Sequence, residues 1–106
     1  MKLNELKWLF RHYSTFDEIY QIESITKTGD CYHLIATEYL FWHNGKISKC
    51  NKQDRIIKQD DLYKYQNLEE QDIINYIGNY IINTGNFESV IPDLITPYWG
   101  CSVKIK

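Results

Sequence analysis

Apolar positions in the first segment of the chain recur at helical spacing. Four of them lie three or four residues apart: Leu3, Leu6, Phe10 and Tyr13. That spacing places their side chains on one face of an α-helix, while the charged residues between them stay in water. The pattern predicts an amphipathic helix from about Leu3 to Tyr13, and the charges within it are not typical of a signal peptide.

The middle of the chain, from about Ile19 to Cys50, is rich in the β-branched and aromatic residues that strands favour. Gly29 lies in the turn sequence "KTGD", where it is free to take a positive φ. The run from Cys31 to His43 is long for one strand, so we expect a bend or bulge near Ala36–Glu38. These features predict an antiparallel meander of three strands.

The sequence "HNGK" predicts the turn between the last two of these strands. Asn44-Gly45 suits both central positions of a type I′ turn, where each residue takes a positive φ. A two-residue loop at this point pairs Trp42 with Ile47 and puts both side chains on one face of the sheet. The pattern therefore predicts the register of the hairpin as well as its turn.

The second half of the chain starts with a polar segment and continues with the clearest helical pattern. We interpret residues 51–66 as a loop that contains a short edge strand at Arg55–Lys58. Asn67 is the predicted N-cap of a second helix, Glu70 completes a capping box, and Gly85 ends the helix. The apolar stripe of this helix consists of Ile73, Ile74, Ile77, Tyr80 and Ile81.

The last residues alternate in polarity, which predicts a half-buried final strand. Cys101, Val103 and Ile105 are apolar, and the residues between them are polar. The predicted order of elements is α-β-β-β-α-β. We therefore expect a single α+β domain over residues 1–106, with an antiparallel sheet and the helices packed on one of its faces.

Composition and charge narrow the classes of function. The chain has 106 residues, 43% of them hydrophobic and 15% aromatic, which is enough for one packed core and argues against disorder. Twelve Lys and Arg residues against fourteen Asp and Glu give a net charge of −2. That balance is not typical of a protein whose main ligand is a phosphate backbone. Uninterrupted apolar runs long enough to span a membrane are absent from the sequence.

Two further counts suggest where the chain works. Its three cysteines are an odd number, which favours free thiols in a reducing cytoplasm over a disulfide framework. Alanine occurs only at Ala36, whereas residues with AT-rich codons (Ile, Asn, Lys and Tyr) are abundant. This bias indicates a low-GC bacterium, or a phage or other mobile element of such a host.

Candidate metal-binding and catalytic residues do not form a recognised pattern. The segment Cys31–Cys50 also contains His33 and His43, but structural zinc sites use closely spaced pairs of ligands. Here the two halves lie at opposite ends of a long predicted strand, so we expect no metal and no cofactor. Cys101 and His12 carry no recognised nucleophile motif, so we assign no catalytic residue. A small enzyme with an unrecognised Cys/His site remains an alternative.

Aromatic side chains that the core patterns do not need are candidates for a binding surface. Tyr63 and Tyr65 lie in a polar loop, and Trp99 follows a proline-broken segment. Two lysines of the predicted hairpin would form a basic rim and speed the encounter with an acidic partner. The predicted partner-binding residues are Tyr63, Tyr65, Trp99, Phe41, His43, Lys46 and Lys49.

These features together favour a small soluble protein that binds another protein and inhibits or regulates it, without catalytic activity of its own. Immunity proteins and phage inhibitors of host defence, including anti-CRISPR proteins, are of this size and kind, and a homodimer is compatible with the sequence. The main alternative is a nucleic-acid-binding or regulatory module. It would use a basic stripe that consists of Lys46, Lys49, Lys52, Arg55 and Lys58.

Overall fold

The fold is a five-stranded antiparallel sheet with helices, seen in a computed structural model that describes residues 3–88 and 90–95. The strands follow the order β4-β3-β2-β1-β5, so β1 to β4 form a meander and β5 pairs with β1. This α+β architecture confirms the predicted fold class. The elements are a 3₁₀ turn (Leu3–Glu5), β1 (Trp8–His12), β2 (Phe16–Thr28), β3 (Cys31–Trp42), β4 (Ile47–Lys58), α1 (Gln59–Leu62), β5 (Gln66–Leu68), α2 (Glu70–Thr84) and α3 (Val90–Ile95).

The predicted helix at Leu3–Tyr13 is wrong, because this segment forms a 3₁₀ turn at Leu3–Glu5 and strand β1 at Trp8–His12. Strand β1 lies between β2 and β5, and both of its faces are covered. Trp8 is buried on one face and Leu9 on the other, so the apolar residues do not alternate with polar ones. A short apolar run of this kind fits a doubly covered strand as well as a helix, and periodicity alone cannot separate the two.

The β3–β4 turn contains Asn44 and Gly45, but its loop has three residues, 43–45, where two were predicted. The amide of Gly45 donates to the Trp42 carbonyl (3.0 Å), and Gly45 has a φ of 98°. Among the described non-glycine residues only Lys52 has a positive φ, which excludes a type I′ turn at Asn44. Phe41 therefore pairs with Ile47.

The one-residue change of register moves each residue of β4 near the turn to the face of the sheet opposite the predicted one. Trp42 and Ile47 lie on opposite faces of the sheet, so their predicted cross-strand pair is wrong. A three-residue loop with glycine at a positive φ is another common hairpin turn, and the Lys46 amide donates to the side-chain oxygen of Asn44 (3.1 Å) within it. A contact from α2 adds to this turn. The Tyr80 hydroxyl lies 2.9 Å from the Trp42 carbonyl and 3.1 Å from the Lys46 carbonyl. Such a tertiary contact is outside the reach of local turn rules.

The pairing of β3 with β4 shifts between Ala36 and Glu38, where the sequence predicted a bend or bulge in β3. The place of the irregularity is as predicted, but the bulge is on β4, because two of its residues lie opposite one residue of β3. Strand β4 is much longer than the predicted edge strand at Arg55–Lys58, because the polar residues before it also pair with β3. Lys52, with a φ of 46°, lies at the shift and provides the extra residue of the bulge.

Helix α2 agrees with the prediction except at its first residues. Its N-cap is Glu69, which forms a capping box with Asp72, whereas the predicted cap Asn67 lies in β5. Gly85 ends the helix in the left-handed conformation, as predicted, and its amide donates to the Ile81 carbonyl (2.7 Å). The predicted final strand at 101–106 lies outside the described residues, as does Trp99.

Two clusters of buried side chains lie on opposite faces of the twisted sheet. Helices α2 and α3 pack on one face, here called the helix face, as predicted. That cluster consists of Trp8, Ile19, Tyr39, Phe41, Ile73, Ile77, Tyr80, Ile91 and Leu94. The cluster on the opposite face includes the single-turn helix α1 and consists of Leu6, Leu9, Tyr20, Leu34, Ala36, Ile57 and Leu62. Within the described part of the chain, no helix is long and apolar enough to cross a membrane.

We predict that Ile77→Ala lowers the free energy of unfolding by about 2–5 kcal/mol, because it removes buried aliphatic volume from the centre of the helix-face core. A urea titration followed by far-UV circular dichroism measures the loss. Ile82→Ala is the matched control, since Ile82 lies on the same helix with 79% of its surface exposed. Equal losses for the two variants would contradict the assignment of this core.

Candidate functional site

The β1–β2 and β3–β4 turns lie side by side at one end of the sheet. Phe16 pairs with Trp42, and the amide of His43 donates to the Thr15 carbonyl (3.0 Å) across the two turns. Because side chains of a strand alternate between faces, polar groups from these turns gather on the helix face and aromatic rings on the opposite face. This end of the sheet therefore carries two candidate sites, one on each face.

The site on the helix face is built around the carboxylate of Asp17, with His12 and His43 beside it; we call these three residues the His–Asp cluster. His12 and Asp17 are direct cross-strand partners. Oxygen Oδ1 of Asp17 lies 2.6 Å from His12 Nδ1 and 3.1 Å from His43 Nε2. An ionised carboxylate only accepts hydrogen bonds, so each of these ring nitrogens carries the donated proton. The two imidazole rings stack with centroids 5.3 Å apart.

Tyr76 on α2 completes the surroundings of Asp17, which is only 8% exposed. Its hydroxyl donates to Asp17 Oδ2 at 2.7 Å. Burial alone would raise the pKa of Asp17, but the hydrogen bonds from Tyr76, His43 and His12 outweigh it and lower the pKa below its ordinary value. Burial and the contact with Asp17 raise the pKa of Tyr76, so its hydroxyl remains protonated. Asp17 is thus a buried, ionised carboxylate.

A cleft of about 250 Å³ opens beside this carboxylate, between the sheet and α2. Its walls include the side chains of the His–Asp cluster that face α2 and a row of amides and hydroxyls from the helix. The lining residues are Asp17, His43, Tyr76, Asn79, Tyr80, Asn83 and Thr84. A small polar molecule, or water, has room to reach the carboxylate and the imidazole of His43.

The opposite face carries a buried carboxylate, Glu18, which is 7% exposed. It accepts hydrogen bonds from the hydroxyls of Tyr65 (2.9 Å) and Tyr13 (3.4 Å). Burial raises the pKa of Glu18 to about 7, and Glu38 adds to the rise through a shared hydrogen bond and charge repulsion. Arg55 lies 3.4 Å from the Glu38 carboxylate and compensates its charge. Glu18 therefore keeps its proton to a higher pH than an ordinary carboxyl group does.

Beside this carboxylate lie the rings of Tyr13, Phe16 and Trp42, here called the aromatic row. The Tyr13 and Phe16 rings stack at 4.6 Å between centroids, and the Phe16 and Trp42 rings are 5.0 Å apart. The Arg11 guanidinium lies 4.8 Å from the centre of the Tyr13 ring. All three rings are partly exposed and belong to neither core cluster. They form a preassembled aromatic surface on the end of the sheet.

The structure separates the aromatic residues that the sequence predicted as partner-binding. Phe41 has no exposed surface and lies in the helix-face core, on the face of the sheet that α2 covers, so that part of the prediction is wrong. Tyr63 is 78% exposed, as predicted for a binding residue. Tyr65 is partly buried and bound to Glu18. Trp99 lies outside the described residues.

The remaining predicted binding residues are polar. His43 belongs to the His–Asp cluster, so it has an internal partner that the sequence did not reveal. Lys46 is exposed on the β3–β4 turn. The ammonium of Lys49 lies 2.7 Å from a carboxylate oxygen of Asp93 on α3, which draws it toward the protein and away from a basic rim.

The basic stripe from Lys46 to Lys58 lies along β4, the edge of the described sheet. Lys52 lies 3.9 Å from Glu23, and Arg55 lies 3.4 Å from Glu38, so acidic neighbours compensate part of its charge. Lysines and a bulge on an edge strand also oppose edge-to-edge pairing with another chain. This placement accounts for the stripe without a phosphate ligand.

The Cys/His segment does not assemble into one site. Cys31 pairs with Lys58 at one end of β3, while Cys50 pairs with Glu38 further along, and both thiols are free. His33 contacts Asp54 on β4. The four predicted candidates are thus distributed over the whole length of the β3–β4 hairpin.

Comparison with protein-family models, with curated proteins and with solved structures gives no match for this chain.

We predict that Glu18 makes stability depend on pH. Its pKa in the fold, about 7, is above its ordinary value of 4.5, so the folded state favours the protonated form. The stabilisation is complete below pH 4.5 and is lost as the pH rises through about 7. Glu18→Gln keeps the shape without the charge and should exceed the wild type in unfolding free energy by about 1–3 kcal/mol at pH 8.5.

Denaturant titrations from pH 5 to pH 8.5 measure this difference. Glu23→Gln is the control, because Glu23 lies on the same strand with its side chain exposed and should leave the pH profile of the wild type unchanged. A Glu18→Gln protein with the pH slope of the wild type would show that Glu18 is not the group responsible.

Proposed function

We propose that this protein binds another protein through the aromatic row and thereby inhibits or regulates it. The observation that carries the proposal is the set of three adjacent, partly exposed rings, Tyr13, Phe16 and Trp42, which neither core cluster includes. Arg11 lies against the first of these rings. Trp, Tyr and Arg are the residues in which protein interfaces concentrate their binding energy.

The way in which the fold holds these rings in place favours tight binding. Their strands and turns are joined by the backbone pairs of the sheet, and the rings contact one another. The rings are therefore already restricted before binding, so less side-chain conformational entropy is lost when a partner binds. Rigid aromatic side chains also present a large contact area for few rotatable bonds.

Aromatic rings on a sheet can also stack on nucleic-acid bases, so charge has to decide between the two kinds of partner. Near the aromatic row, Glu18 is buried with a raised pKa and Glu38 is paired with Arg55. These groups offer no basic surface to a phosphate backbone. Three of the basic-stripe residues already have acidic neighbours. A protein partner fits these charges better than a nucleic acid does.

The exposed rings indicate the chemistry of the partner surface. Aromatic faces suit the side chains of Lys and Arg, which bind them through cation–π contacts. The net charge of −2 acts in the same direction at long range. We therefore replace the expected acidic partner, which relied on Lys46 and Lys49, by a partner with a basic contact surface.

The biological setting of the proposal comes from composition. The abundance of amino acids with AT-rich codons favours a low-GC bacterium or one of its phages. In such a host, small inhibitors of defence enzymes and immunity proteins act in the cytoplasm. The absence of catalytic activity stays a prediction, as does the homodimer.

We predict that Trp42→Ala and Phe16→Ala weaken partner capture by about 30-fold or more, because each removes a central ring whose truncation costs about 2 kcal/mol or more at an interface. The measurement is affinity capture of the partner from a low-GC host lysate, followed by titration of the purified partner. Melting curves of the same variants separate loss of binding from loss of fold.

Two control variants test the choice of surface. Ile82→Ala changes an exposed apolar residue on α2 and should bind like the wild type. Tyr63→Ala tests the loop surface that the sequence suggested, and it too should retain binding. The proposal is wrong if Trp42→Ala and Phe16→Ala retain the partner while folded, or if the captured ligand is nucleic acid that dissociates between about 0.1 M and about 0.5 M salt.

A further inference from the structure

The His–Asp cluster has the donor set of a transition-metal site. His12 ends β1, Asp17 begins β2 and His43 lies in the β3–β4 turn, and each directs one ligand atom toward the others. Those three atoms all lie within 4.8 Å of one another. We propose that these residues form a binding site for a divalent first-row transition ion of the Zn²⁺ type, since two imidazoles and one carboxylate are ligands that such ions accept.

The distances suit such an ion. Zinc lies about 2.0–2.2 Å from nitrogen and carboxylate oxygen, which places neighbouring donor atoms roughly 3–3.5 Å apart. The two contacts of Asp17 Oδ1 with the histidines, at 2.6 and 3.1 Å, are close to this range. A small outward rotation of the exposed His12 ring opens the space for the ion. The ion then takes the place of the two protons that the imidazoles share with the carboxylate.

Neighbouring groups fix the orientation of the Asp17 carboxylate, as a preorganised metal site requires. The Tyr76 hydroxyl occupies Asp17 Oδ2, which leaves Oδ1 for the ion and fixes the orientation of the carboxylate. The hydrogen bond from the His43 amide to the Thr15 carbonyl fixes the turn that carries the second imidazole. The ligands are therefore preorganised from three separate parts of the fold.

Three protein ligands leave coordination positions of the ion open, and these positions can be reached from the cleft. Asp17 and His43 both line the cleft of about 250 Å³, whose far wall offers polar side chains of α2 such as Asn79 and Asn83. Water or an oxygen-bearing ligand can complete the coordination from this side. The site thus has the form of an open metal centre and not that of a closed structural one.

The competing explanation is that the cluster is only a hydrogen-bonded brace between the turns. His33 provides the internal comparison, because it also contacts a carboxylate, that of Asp54, on the exposed face of the β3–β4 hairpin. Among the described residues, only the His–Asp cluster brings three potential ligands together. A metal site therefore requires His12 and His43 but not His33.

The test is titration of chelator-treated protein with Zn²⁺ by calorimetry and with Co²⁺ by visible absorption. The wild type should bind one ion per chain, with a melting temperature that rises with Zn²⁺ concentration. His12→Ala and His43→Ala should lose this binding. Tyr76→Phe should weaken it by about 10- to 100-fold, the usual effect of removing a group that orients a ligand. His33→Ala and Cys50→Ser should bind like the wild type.

The His12→Ala variant should fold, because the His12 side chain is 69% exposed and belongs to neither core cluster. His12→Gln, with circular dichroism as a check, provides a second variant. The proposal is overturned if the wild type does not bind Zn²⁺, or if folded His12→Ala and His43→Ala still bind it. It is also overturned if Cys50→Ser abolishes binding or Co²⁺ gives a thiolate charge-transfer band, since the ligands would then be cysteines.

Discussion

One buried carboxylate, Asp17, joins the parts of this fold that carry its candidate sites. It lies at the start of β2, and its contacts reach β1 through His12, the β3–β4 turn through His43, and α2 through Tyr76. A buried charge is tolerated only where several donors compensate it, so these contacts have to form together. Helix, hairpin and turn are thereby held in one arrangement at this end of the sheet.

The residue next to Asp17 shows how the two faces differ. Glu18 points to the opposite face, because successive side chains of a strand alternate. Donors surround Asp17 and lower its pKa, whereas Glu18 faces a second carboxylate, Glu38, and its pKa is raised by burial and by that neighbour. Two adjacent carboxyl groups on one strand thus have pKa values shifted in opposite directions. The one with the lowered pKa suits a cation, and the one with the raised pKa lies beside an aromatic surface.

The sequence predicted those elements whose pattern is long or local. Helix α2 was recognised because its apolar stripe extends over several turns and Gly85 ends it. The length of the β3 run indicated the place of a bulge, but not that its extra residue lies on β4. Strand β1 was missed because only five residues, covered on both faces, carry no alternation. The register of the β3–β4 hairpin was missed because Asn44-Gly45 also suits a three-residue loop, to which Tyr80, far away in the chain, adds its hydrogen bonds.

The candidate sites were missed for the same reason, since both depend on pairings between elements. His12 and Asp17 become cross-strand partners only when β1 is a strand that turns back at Tyr13–Thr15. With the segment assigned to a helix, that relation disappears. The β3–β4 turn adds the second histidine, because its three-residue loop leaves His43 at a position from which it reaches Asp17. The β2–β3 pairing places Trp42 next to Phe16. The His–Asp cluster and the aromatic row therefore both depend on pairings that only the folded sheet establishes.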